Sequence, residues 1–344
     1  MIDWRLAATV ANGVASAQAT PDGAAFTALA APAAESERLV AAYTGLVAEL
    51  PVPRAEAVTR PQWIDSNLTS LRSVLEPAAD RLGDRLGPLR GPVGAAVGAL
   101  LAAEAGVVAG LLSTRVLGQY EFPVLEPDVP ARLLFVAPNL AHAAGTLEAE
   151  PEALLKWVAL HEITHALQFG GVAWLRPHLG ALLREILSGL DVDPRGMMRR
   201  PGLGDLGELV EAVRSGGVAG LVLGPERRGQ LERVQAVMAV LEGYAEHVMD
   251  AVGIELIPDL PRLRSALERR RRDRSGLLRL LEKLLGFDLK LRQYEQGKAW
   301  CDAVVARAGM SALNRVWDGP EQIPTLAELD DAPAWLARVM PRAA

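Results

Sequence analysis

The stretch VALHEITHAL, Val158 to Leu167, decides how the rest of the chain is read. His161 and His165 are four residues apart, so on a helix their imidazoles leave one face about one turn from each other and can share one tetrahedral ion. Glu162 falls ~100° around the helix from His161, where a carboxylate can hold and deprotonate a metal-activated water without being a ligand itself. Uncharged Ile163 and Thr164 fill the centre of the motif and apolar residues flank it. Leu154, Trp157, Val158 and Gln168 share the histidine face, which marks that face as interior. The chain holds only five histidines among 344 residues, so a chance H-E-x-x-H is on the order of one in two hundred. The competing reading is a pair of satisfied core histidines on a long helix.

Catalytic zinc takes three protein ligands and keeps one position open, so a third ligand is expected elsewhere. His178 is a third histidine a short way on, but it lacks the glycine needed for the tight turn of the metzincin pattern. The helix expected near 226–252 offers more. Its apolar arc runs through Val234, Val237, Met238, Leu241, Ala245, Val248, Met249 and Val252, and Glu242 lies just inside the arc's edge beside Met238 and Met249. A carboxylate beside a buried stripe needs a partner, and a metal ion is preferred here over an arginine. Glu246, one turn on, is placed to accept from Nδ1–H of His161 or His165, while His247 points to the opposite side. An oxyanion stabiliser is expected among Tyr244, Tyr294 and His247. Tyr244 lies on the far side of its helix from Glu242, which leaves Tyr294, in the polar block LKLRQYEQGK, as the favoured candidate.

Composition narrows the class. Half of the residues are apolar and Gly and Pro counts are ordinary, which excludes disorder and low-complexity architectures. One cysteine, Cys301, excludes a disulfide framework, fits a reducing cytoplasm and leaves any metal to nitrogen and oxygen ligands. A formal charge of −6 argues against general nucleic-acid binding. The arginine run from Glu268 to Arg274 reads as a solvated helix face. Gly91 to Ser113 carries Glu104 as its sole charge and has small residues at Gly94, Gly98, Gly106 and Gly110. It reads as a buried central helix that neighbours approach closely, not as a membrane span. Asp3 and a short apolar stretch after it speak against a leader peptide.

Helical periodicity dominates, with helices expected near 4–18, 35–50, 61–87, 92–117, 152–169, 175–189, 205–215, 226–252, 260–285, 289–308 and 333–339. Arg132 to Ala137 (RLLFVA) is the best strand candidate, closed by Pro138-Asn139. The fold class is therefore mainly α, multi-helical, with at most a small β element near 132–137. Residues 1–125 read as a helical lobe and 126–344 as the lobe carrying the chemistry, unless both form one continuous domain.

Several separated blocks give the chain a family likeness: Asp3-Trp4, LLSTRVLGQYEF (Leu111 to Phe122), VAPN (Val136 to Asn139), WVALHEITHALQFGGVAWL (Trp157 to Leu175), LEGYAEHVMD (Leu241 to Asp250) and LKLRQYEQGKAW (Leu289 to Trp300). On these blocks the sequence resembles the zincin-like metallopeptidases of type 2, a family of actinobacteria and related bacteria described as hydrolases of inferred activity. Some members are associated with deazaflavin-coenzyme biosynthesis. The resemblance implies a helical fold around a zincin-like core. LEGYAE is also similar to the third-ligand segment of gluzincin aminopeptidases, with Leu241 where those have Asn. The longer spacing from His165 to Glu242 implies a helical insertion. The likeness further makes Leu133 to Ala137 a candidate edge strand for an extended substrate, with Asn139 at its rim; an internal structural strand is the alternative.

The expected function is zinc-dependent hydrolysis of a peptide or small amide: Zn²⁺ on His161, His165 and Glu242, with Glu162 as general base and then acid. The alternative is a helical scaffold that retains the fold, with or without metal, and turns nothing over.

Overall fold

The computed structural model describes residues 2–86, 91–126, 128–188, 228–273 and 292–340. The helix expected at 205–215, with the rest of 189–227, and the ends of the helices expected at 260–285 and 289–308 lie outside the described residues. The fold is mainly α, as the periodicity indicates. Its helices are α1 (Trp4–Ser16), α2 (Ala30–Thr44), α3 (Arg60–Leu86), α4 (Pro92–Ser113), α5 (Ala137–Leu147), α6 (Pro151–Gly171), α7 (Leu175–Ser188), α8 (Arg228–Leu256), α9 (Leu260–Asp273), α10 (Arg292–Ala308), the short α11 (Met310–Leu313) and α12 (Ala332–Val339). Three short strands, β1 (Ala55–Val58), β2 (Gly118–Glu121) and β3 (Arg132–Val136), form one sheet in the order β1-β3-β2. β1 pairs parallel and β2 antiparallel to β3.

β3 explains why the RLLFV run is apolar throughout. Strand side chains alternate between faces, and both faces of this strand are covered. Leu133 and Phe135 enter a large core built on α2, α5, α6, α8 and α10. Leu134 and Val136 enter a smaller one with Ala7, Ala11, Trp63, Ile64 and Ala102 of α1, α3 and α4. The sheet thus joins segments from both sides of residue 125, and α2 packs against α6.

Several expectations change. β3 is the central strand, so Leu133 to Ala137 is not a substrate-pairing edge; β2 is the edge beside it. Asn139 is fully buried rather than at a rim. Its Nδ2 donates to the carbonyls of Ser113 and Val116, and its Oδ1 accepts from Arg60 Nε at 2.8 Å. The Ser113 carbonyl is one of those a helix end leaves without an intrahelical partner. Asn139 therefore helps end α4 at Ser113, short of the helix to residue 117 expected from periodicity, and β2 begins at Gly118. Pro138 closes no strand. It occupies the first turn of α5, where its missing N–H costs nothing.

Gly106 and Gly110 let α4 lie against α1: a Cβ at either would meet the carbonyls of Ala7 or Ala11 and the side chains of Val10 or Val14. The close approach is as expected, but the central position is not. Only 28% of the apolar stretch Gly94–Ser113 is buried, and among the described residues it is the one helix long and apolar enough to cross a membrane.

Candidate metal centre

Helix α6 starts with Pro151 in its first turn and Glu152 beside it, and stops at Gly170-Gly171. Those glycines admit the loop after α2: a Cβ on Gly171 would strike the Val47 carbonyl, and Glu49 N–H donates to the Gly170 carbonyl. This fixes α6 across the floor of the large core, with His161 and His165 turned toward α8. Helix α8 is held equally closely from behind by α10. Gly243 faces the backbone of Gly297, and Gly297 in turn faces Ala239. Side chains there would force the helices apart and carry Glu242 with them.

The structure brings His161, His165 and Glu242 together. His161 Nε2 lies 3.2 Å from His165 Nε2, and Glu242 oxygens lie 3.6 Å from the first and 3.7 Å from the second. Among the described residues these three form a group able to hold a metal ion. A tetrahedral ion with bonds of about 2.0–2.1 Å separates its ligand atoms by roughly 3.3–3.4 Å. The two histidine nitrogens lie near that spacing, and Glu242 approaches one with Oε2 and the other with Oε1, so a turn of its carboxylate is needed to set a single oxygen against both. The donor chemistry agrees. His165 Nδ1 is 2.8 Å from the Gln168 side-chain oxygen, an acceptor only, so this nitrogen carries the proton and Nε2 presents a lone pair. His161 turns Nδ1 toward the Met249 sulfur at 3.2 Å.

Glu162 is on the same helix but in a drier place, with 6% of its surface exposed. Its Oε2 accepts a 2.7 Å hydrogen bond from the Tyr120 backbone N–H of edge strand β2. Burial pushes its carboxyl up to about 7, against the pull of His165 and the Tyr120 N–H, with Glu242 adding to the rise. Gly118 makes this contact possible, because a Cβ there would sit 2.7 Å from Val158 Cγ1 and 2.8 Å from Glu162 Cγ. Sequence reasoning misses both Gly118 and Tyr120. The available signal is a glycine beside alternating residues in LGQYEF, which the apolar run before it masks by extending the helical pattern.

A cavity of about 280 Å³ opens beside His161 and Glu162. Val116, Leu117, Trp157 and Leu267 give it apolar walls, and Arg115, Glu246, Asp250, Arg264 and Lys298 charged ones. Asp250 pairs with Arg264 and, at 2.9 Å, with Lys298, which also reaches Asp302 at 2.6 Å. Although burial works against its charge, these two carboxylates hold the Lys298 ammonium above its ordinary range.

The other expected residues divide. Glu246 lies in the cavity wall with His161, while the Nδ1 of His165 is taken by Gln168. His247 faces away, as the helical wheel indicates, bonded to Asp302 at 2.7 Å and Tyr43 at 2.9 Å. Tyr244 is fully buried, donates to Asn314 and packs edge-on against Trp317. Burial raises its hydroxyl pKa strongly, and it faces no part of the metal group. Tyr294 belongs to α10, but its side chain lies outside the described residues, as do most of those between Glu268 and Arg274. His178 packs edge-on against Trp174.

A helical protein with a His-Glu-x-x-His helix, a glutamate from a second helix and a carboxyl held by an edge strand has the parts of a zincin. Comparison of the sequence with known families agrees: the chain belongs to the zincin-like metallopeptidase family, which matches residues 2–336. Among solved structures it is similar to a protein from Chloroflexus aurantiacus described as "a putative hydrolase with a novel fold". The TM-score is 0.74 at 30% identity, covering 100% of both chains. No curated protein matches the sequence.

Proposed function

We propose that the protein is a zinc-dependent hydrolase of a small amide or short peptide, with His161, His165 and Glu242 as the metal ligands. The observation that carries this reading is the convergence of one ligand atom each from His161, His165 and Glu242, all within 4.8 Å of one another, next to the buried carboxyl of Glu162, which burial raises to about 7. Zinc, when bound, supplies a Lewis acid that acidifies water and polarises a carbonyl. Glu162 is the proton carrier. A general base works best with a pKa near the operating pH; burial raises the Glu162 carboxyl against the pull of the Tyr120 N–H, and a metal cation beside it would favour the carboxylate form that accepts the proton. It takes a proton from the attacking water and returns it to the leaving amine. Glu246 lies in the wall beside His161, but the Nδ1 expected to donate to it faces the Met249 sulfur in His161 and Gln168 in His165, so its part is in the charge of the cavity wall. Tyr294 is the candidate for stabilising the oxyanion.

Two features favour a small substrate over an extended polypeptide. The cavity of about 280 Å³ is at the lower end of ligand sites, which run from roughly 300 to 1,000 Å³. The outward N–H of β2 at Tyr120 is engaged by Glu162, so it is not offered to a substrate backbone. A cytoplasmic location fits the single buried free cysteine, and the net charge of −6 gives no reason to invoke nucleic acid.

The test measures zinc content and hydrolysis of an N-acyl amino acid and dipeptide panel for wild type, Glu162→Gln and Glu242→Ala. Wild type should hold one zinc per chain. Glu162→Gln should keep it and lose on the order of 10²–10⁴-fold in rate, while Glu242→Ala should lose most of it. A zinc-free wild type, or loss of zinc on Glu162→Gln alone, refutes the assignment. A metal-loaded wild type inert on every amide would point to the scaffold reading instead.

A further inference from the structure

Gln168 lies three residues beyond His165 on α6 and is fully buried. Its side-chain oxygen is 2.8 Å from His165 Nδ1, and its Nε2 donates to the Leu241 carbonyl at 3.2 Å. We propose that Gln168 is a positioning residue: it fixes the tautomer of His165 and ties that histidine to the α8 backbone immediately before Glu242. The proposal rests on the metal-centre reading above.

The argument is one of donors and acceptors. A backbone carbonyl only accepts, so the amide end facing Leu241 is the NH₂ group, and the end facing His165 is the oxygen. That oxygen also only accepts, so His165 carries its proton on Nδ1. The lone pair is left on Nε2, the atom 3.2 Å from His161 Nε2 and 3.7 Å from Glu242 Oε1. Leu241 and Glu242 are consecutive, so one amide sets both the orientation of a ligand on α6 and the spacing to a ligand on α8. A carboxylate at 168 could accept from His165 but would face the Leu241 carbonyl with no proton to give. Leucine would fill the space and do neither. Metal-bound histidines are ordinarily oriented through their second nitrogen, and losing that partner costs 10–100-fold in metal affinity. Here a neutral amide fills the role, and its second hydrogen bond crosses to the other ligand helix.

The experiment uses the full chain with ¹⁵N-labelled histidine. Only five histidines are present, and His165→Ala assigns the signal. In zinc-free wild type near about pH 8, where histidines are mostly neutral, His165 should show the Nδ1–H tautomer. Gln168→Leu should lose that preference and bind zinc about 10–100-fold more weakly in chelator competition. Gln168→Glu should keep the tautomer and lose less affinity, because only the Leu241 end is broken. Purely structural packing predicts no tautomer change in either variant. An Nε2–H tautomer in wild type overturns the proposal, as does a folded Gln168→Leu that binds zinc within about twofold of wild type, well short of the loss expected when a ligand's orienting partner goes. If Gln168→Leu does not fold, the wild-type spectrum and Gln168→Glu decide. Failure of wild type to bind any zinc counts against the metal-centre reading instead, and the wild-type spectrum still tests what Gln168 does to His165.

Discussion

Replacing Glu162 by glutamine should reverse a pH-dependent weakness of the metal-free protein. In the fold the Glu162 carboxyl has a pKa of about 7, raised first by burial; in the unfolded chain it returns to its ordinary 4.5. Between those values the folded state binds more protons than the unfolded one, so stability falls as pH rises. The full stability is present below about pH 4.5 and is lost as the pH passes 7. At about 1.36 kcal/mol per unit, the gap corresponds to about 3 kcal/mol, a large share of the ~5–15 kcal/mol that holds a typical domain together. The amide introduced by Glu162→Gln is neutral throughout and could still accept from the Tyr120 N–H, so the variant escapes the penalty. Urea unfolding of chelator-treated protein from about pH 4.5 to 8 measures the difference. The two proteins should be about equally stable at the acid end, with the variant ahead by about 3 kcal/mol at the alkaline end. Adding zinc should shrink the gap, because a nearby cation favours the carboxylate. Parallel stability curves, or a wild type that gains on the variant as pH rises, would refute the reasoning.

The contacts around the site give further expectations. Gly118→Ala places a methyl group against Val158 and Glu162; overpacking of this kind costs about 1–3 kcal/mol. It should also displace Glu162, so activity should fall by at least about tenfold while zinc content stays near one per chain. Gly297→Ala drives a methyl into the Ala239 backbone, so thermal melting should show a loss of about 1–3 kcal/mol, and chelator competition should show weaker zinc binding because α8 carries Glu242. Removing the metal from wild type should lower the melting temperature, with recovery on adding zinc. At a roughly hundredfold excess of free zinc over its dissociation constant the gain is about 2.7 kcal/mol, and Glu242→Ala should abolish most of it.

The ligand helix is legible in the sequence because the motif carries its own geometry: two histidines one turn apart, in a chain with few histidines, have few uses. Glu242 is legible by the same physics, as a carboxylate at the edge of an apolar arc, and so is the outward turn of His247. The strands around them are not. β1 is the four-residue stretch AEAV, too short to show a period, and β2 begins soon after an apolar helix whose end depends on Asn139, a residue well along the chain. Which strand is the edge is equally hidden, because a run apolar on both faces does not say on which side its neighbours pair. The composition of RLLFV identifies a strand; its central place, with β1 on one side and β2 on the other, is fixed by the pairing alone.

The partition of water across the site then follows from that topology. His161 and Glu242 keep 23% and 27% of their side-chain surface exposed, as the proposed metal site would require for access of water and substrate. Glu162, next in sequence to His161, keeps 6% because the edge strand lies over it. A helix alone could not separate two adjacent residues so sharply: about 100° of rotation would leave both on a wet surface unless something covered one of them. β2 supplies that cover with a glycine small enough to touch the carboxylate and a backbone N–H aimed at its oxygen. Glu162, the proposed proton carrier, is therefore held by main chain, whereas His165, a proposed ligand, is held by the Gln168 side chain. Changing the Tyr120 side chain should leave Glu162 in place; adding a single carbon at residue 118 should not.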